Sequence, residues 1–140
     1  ESIEDGVQSV YNMFNWLWLD RRTQKIKVRI DKWDTWSMDS TLAHVIHPML
    51  VQLKATTHGY PSGLTEKKWD DIMDEMIWAF EQKLRDDWED DYYGPYIESE
   101  DKRELFGRFE WIDDEGRQKH QERMTNGFKL FGKYYENLWD

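Results

Sequence analysis

Apolar residues recur at three- and four-residue spacing along four stretches of the chain, the period of a helix with one buried face. Over residues 2–20 the stripe is Val7, Val10, Tyr11, Phe14, Leu17 and Trp18, with Ser2 placed to cap and Glu4 and Asp5 suited to the positive end of the dipole. Trp16 and Leu19 fall off that stripe, so this helix has apolar surface on two sides, which points to a second subunit. Over 39–55 the stripe is Leu42, Val45, Ile46, Met49, Leu50 and Leu53, and Pro48 inside it predicts a kink, because proline lacks the N–H and crowds the carbonyl one turn back. The strongest pattern covers 65–88, where Thr65 caps and Trp69, Ile72, Met73, Met76, Phe80 and Leu84 turn inward beneath an acidic outer face. The last covers 114–138, with Met124, Phe128, Phe131, Tyr134, Tyr135 and Leu138 inward and Asn126-Gly127 as a bend point.

Two segments depart from this period. Residues 24–30 alternate strictly, with Ile26, Val28 and Ile30 on one face and Lys25, Lys27 and Arg29 on the other, which is the pattern of a strand. A strand needs a partner for its backbone, and the candidates are 108–112 or the same strand of a second copy. Residues 86–101 hold eight acids and no base, and the Gly94-Pro95 step stops any helix, so they read as an exposed acidic loop. The predicted architecture is an α-rich α+β fold: about four helices packed as a bundle-like single domain over residues 1–140, with one short two-stranded β element.

Composition narrows the classes of function. Nineteen basic against twenty-nine acidic residues leave a net charge of −10, which argues against direct nucleic-acid binding and against an anionic membrane. The apolar run 10–19 is too short to span a bilayer, and no signal-peptide pattern is visible, although the chain begins at Glu1 rather than Met, which leaves an upstream segment open. Without cysteine there is neither a disulfide nor a thiolate metal site. Nine Trp, seven Tyr and six Phe are unusually many, and core packing and a binding surface would both use them.

Candidate chemistry is sparse. No nucleophile elbow, P-loop, GxGxxG or CxxC is present, and no motif calls for a cofactor. Lys25, Lys27 and Arg29 beside Trp33 and Trp36 form a candidate cradle for a small anionic, nucleotide-like ligand, the cations taking phosphate and an indole stacking on the base. Arg123 and Lys133 are weaker additions to it. The plain alternative is an edge strand kept soluble by its charges. His44 and His47, about one turn apart, and Asp71, Asp74 and Glu75 on the next helix are the residues a metal would use, the carboxylates resembling the acid pairs of all-α nucleotide pyrophosphohydrolases. Ordinary helix positions and a solvated acidic face explain both sets without a metal.

Three blocks, KVRIDKWDTWSMDSTLAHVIHPMLVQLK, WDDIMDEMIWAFEQ and RMTNGFKLFGKYYENLW, resemble a family of uncharacterised small proteins encoded by tailed bacteriophages. The resemblance covers about half of the chain and carries no catalytic residue with it. It implies a protein made in the cytoplasm of an infected bacterium, and by analogy a counter-defence sponge that sequesters a nucleotide-like immune signal in a homo-oligomer without cleaving it. The alternatives are a metal-dependent nucleotide hydrolase using the carboxylates of 71–75, an acidic DNA mimic that binds a host protein through 86–101, and a virion component.

Overall fold

The computed structural model describes residues 6–10 and 26–140, and the chain divides into two units, residues 1–31 and residues 32–140. In the first unit residues 6–10 are helical; the remainder of the helix expected over 2–20 lies outside the described residues, as do Gln24 and Lys25. Residues 26–30 form no strand, which corrects the β element expected over 24–30. Their alternation buries nothing, since Ile26, Val28 and Ile30 are each about 70% exposed.

The second unit is built on four α-helices: α1 (Lys32–Trp36), α2 (Met38–Thr56), α3 (Glu66–Leu84) and α4 (Asp114–Lys133). Helix α3 is the middle of the three long ones, packing α2 on one side and α4 on the other. Thr65 caps it as expected, its hydroxyl accepting from the Lys68 N–H at 3.2 Å. Helix α2 runs through Pro48 without interruption. The helix expected over 65–88 ends at Leu84, and the one expected over 114–138 ends at Lys133, with Tyr135–Asn137 continuing as a 3-10 turn. Asp113 caps α4 by accepting from the Gly116 N–H at 2.9 Å.

The core is narrow. Ala43 and Leu50 of α2 meet Trp69, Met73, Met76 and Phe80 of α3, and on the other side Phe80 meets Phe128 and Phe131 of α4 edge-on, with ring centres 5.2 and 5.1 Å away. Such pairs contribute about 0.5–1.5 kcal/mol beyond the area they bury. Ion pairs at the helix margins repeat the same pairing: Lys54 with Asp74 and Lys83 with Asp39 join α2 to α3, and Arg123 with Glu75 joins α3 to α4.

Gly127 fixes how closely α4 approaches α3. A Cβ at that position would stand inside van der Waals contact of the Ala79 methyl and 2.7 Å from the Glu75 carbonyl oxygen. The Asn126-Gly127 step, where a bend was expected, therefore marks a tight helix crossing.

The acidic stretch 86–101 is more structured than a plain loop. Trp88–Tyr92 form a 3-10 turn with Trp88 buried, and residues 93–97 then run antiparallel to 108–112. The two segments touch as isolated bridges, Tyr93 with Trp111 and Ile97 with Arg108, so 108–112 pairs with 93–97. The Tyr93 and Trp111 rings stack at 3.9 Å. No strand is found among the described residues, and none of their helices is long and apolar enough to cross a membrane. The second unit is thus helix-rich, with an aromatic bridge pair attached at one end.

Two glycines of α4 separate packing from propensity. Gly127→Ala should lower unfolding free energy by about 1–3 kcal/mol through overpacking against α3. Gly132→Ala, where an added Cβ meets nothing within 4 Å, should raise it by up to ~1 kcal/mol. Urea unfolding of both variants reads the difference, and equal effects would remove the tight crossing as a determinant of stability.

Candidate functional site

The residues expected to bind an anionic ligand are distributed over both units. Lys25 lies outside the described residues, and Lys27 and Arg29 are exposed members of the first unit. Trp33 and Trp36 sit on α1, 65% and 81% exposed, with ring centres 6.0 Å apart and the Lys32 ammonium 5.5 Å from the Trp33 ring centre. On α4, Arg123 and Lys133 are ten residues apart, roughly 15 Å along the helix. Arg123 is committed elsewhere: Nε and Nη2 donate to the two oxygens of Glu75 at 3.1 and 2.9 Å, and its guanidinium carbon lies 3.8 Å from the Trp78 ring centre. That hydrogen bond, more than the charge attraction beside it, raises the Arg123 pKa further. Lys133 lies over Tyr134, 5.2 Å from its ring centre.

The expected hydrolytic carboxylates are committed in the same way. Glu75 holds Arg123 and Asp74 holds Lys54, while Asp71 is exposed. Among the acids that might have faced them, Asp113 caps α4 and Glu110 accepts from Arg108 Nε at 3.0 Å. Asp39 is held below the usual carboxylate range chiefly by its hydrogen bond from Lys83. His44 is exposed and His47 half-buried, and no group of three or more His, Asp or Glu stands close enough to hold a metal ion among the described residues. Part of the acidic stretch is neutralised locally, since Arg85 meets both Asp87 and Asp91.

Two features stand in place of the expected site. The first is a groove of about 780 Å³ between α2 and the end of α4, walled by Leu42, Ile46, Met49 and Leu53 on one side and Phe131 and Tyr135 on the other. It exists because α2 and α4 both pack on α3 and leave a furrow beside it. None of its lining residues is charged, in a chain that is 34% charged. Its size is that of a small-molecule or helix-binding cleft.

The second is a half-buried histidine. His120 of α4 stacks on Trp88 with ring centres 4.6 Å apart and meets Trp78 at 5.1 Å, and the Arg123 guanidinium lies over the Trp78 ring. Its Nε2–H donates to Gln82 Oε1 at 3.0 Å, and its Nδ1 accepts from the Tyr92 hydroxyl at 2.8 Å. Both nitrogens are thereby satisfied in the neutral ring, and burial, followed by the charge of Arg85, holds the pKa below its ordinary value. Arg123 acts in the same sense and Asp91 opposes both. This arrangement joins α3, α4 and the Trp88–Tyr92 turn.

Sequence reading named neither feature. A signal for the histidine existed: His120, Met124, Gly127 and Phe131 follow one helical stripe, which marks His120 as inward-facing in an otherwise polar half of α4. For the groove the signal was the absence of charge from Ser40 to Leu53. Compared with protein-family models, curated proteins and solved structures, the chain matches none.

The histidine gives a stability profile with a defined sign. His120 is kept neutral in the fold, whereas the unfolded chain takes up a proton near pH 6.5, so its contribution is complete above that pH and is lost as pH falls below it. The Asp39 contribution disappears only below the carboxylate range, which separates the two windows. Melting temperature should fall between pH 6.5 and 5, and His120→Phe should flatten that slope while starting lower at neutral pH. An unchanged slope in His120→Phe would assign the dependence to other groups.

Proposed function

We propose that this chain is a non-enzymatic binding protein whose working surface is the apolar groove between α2 and α4. The observation that carries the reading is the groove's lining, which is free of charge although a third of the chain is charged. A surface of that kind is costly to leave in water and is characteristic of interaction sites. The commitment of Asp39, Asp74 and Glu75 to cations on neighbouring helices supports binding over hydrolysis. The resemblance to tailed-phage proteins supports a counter-defence role in the cytoplasm of an infected bacterium.

A second reading keeps the nucleotide-like ligand, and the indoles of Trp33 and Trp36 favour it. Both are largely exposed and lie close together, with Lys32 beside them, which suits a stacking platform for a base.

The two readings separate by mutation. At sub-micromolar protein an uncharged, environment-sensitive dye should bind the groove with a stoichiometry near one, and Met49→Glu should weaken it at least tenfold with helical circular dichroism unchanged. Equal dye affinity in the variant would overturn the groove reading. In the second reading, Trp33→Ala with Trp36→Ala should weaken a nucleotide tenfold or more, a loss of about 1–3 kcal/mol per stacked base. No nucleotide affinity in the parent chain, measured by calorimetry, would end that reading.

A further inference from the structure

We propose that the occupant of the groove is a second copy of this chain, with the two α2 helices lying antiparallel across a two-fold axis; this rests on the groove being the working surface. Helix α2 carries both halves of such a contact. Leu42, Val45 and Met49, at positions i, i+3 and i+7, are 40%, 54% and 64% exposed and form a ridge along its outer side. That spacing is the anchor pattern of a helix seated in an apolar groove. The groove runs beside this ridge on the same helix, so one patch holds the ridge and its receptor. Self-complementarity of one patch is what a two-fold interface requires.

Charge selects a second copy over another acidic surface. At net −10 two chains repel unless the faces that meet carry no acids. From Ser40 to Leu53 α2 has no Asp, Glu, Lys or Arg, and the charges at its ends, Asp39 and Lys54, are turned toward α3 by Lys83 and Asp74. Antiparallel α2 helices also oppose their dipoles. With α2 about 28 Å long and a face roughly 20–25 Å across, the patch offers on the order of 600–700 Å², at the lower end of the roughly 600–1,000 Å² per partner that a standard interface takes.

Sedimentation velocity from 0.5 to 100 µM tests this on the full chain. The chain should reach twice its own mass, and Val45→Glu and Met49→Glu should each raise the dimer dissociation constant at least 100-fold. Val51→Glu, on the far side of α2, should leave it unchanged. Because the chain has no cysteine, Met49→Cys alone should cross-link the dimer under mild oxidation, and Val51→Cys should not. Dye binding to the groove should fall as protein concentration rises through the dissociation constant. A chain that stays monomeric yet binds the dye overturns the dimer and leaves the groove reading standing; a monomer that excludes the dye overturns both. A dimer untouched by Val45→Glu and Met49→Glu overturns the proposed interface.

Discussion

The second unit depends on how near α4 can come to α3, and that distance is set where Gly127 lies on Ala79. With no Cβ at 127, the backbones approach closely enough for Phe128 and Phe131 to reach Phe80, and for Arg123 to span to Glu75. Any side chain there separates the helices by the thickness of a methyl group, and each of these contacts lengthens at once. Interiors packed at near-crystalline density do not absorb such a shift locally. Because α2 and α4 both pack on α3, a furrow is left between them beside it. The groove is thus the complement of the crossing, and the surface available for recognition follows from a packing constraint on the opposite helix pair.

The helices were legible because their buried stripes are long and periodic. Trp69, Met73, Met76 and Phe80 repeat at helical spacing and are buried as that spacing requires, and Thr65 begins the helix at the expected residue. Strand reasoning failed at 26–30 because alternation states which residues share a face and not whether anything covers that face. There Ile26, Val28 and Ile30 are exposed, so the period carries no packing information. Residues 86–101 misled in the opposite direction: eight acids suggested a solvated loop, yet Trp88 is buried against His120 and Tyr93 stacks on Trp111. Aromatic anchors outweigh local charge when they can be buried and the acids still reach water.

The candidate site was much less legible, for a reason visible in Arg123 and Glu75. Each was read as available, the first for phosphate and the second for a metal, and the fold spends them on each other. Linear sequence shows the type of a charged group but not its partner 48 residues away. Many of the aromatic residues serve the stack around His120 and the bridge pair. The groove is a surface defined by missing charge, and absence is harder to notice along a chain than a motif.

Helix α4 is fastened to its surroundings at two places seven residues apart, by the imidazole of His120 and by the bare backbone of Gly127. Seven residues are close to two full turns, so both fasteners face α3 in one register. Adding or removing one residue between them would rotate one fastener by about 100° and bring neither alternative into place. The turn joining the bridged segments, residues 98–107, has no such bookkeeping apart from Gly107, whose N–H donates to the Tyr96 hydroxyl at 2.6 Å. Length variation among relatives of this chain should therefore gather in that turn, and α4 between His120 and Gly127 should hold a constant length even where its outward residues change.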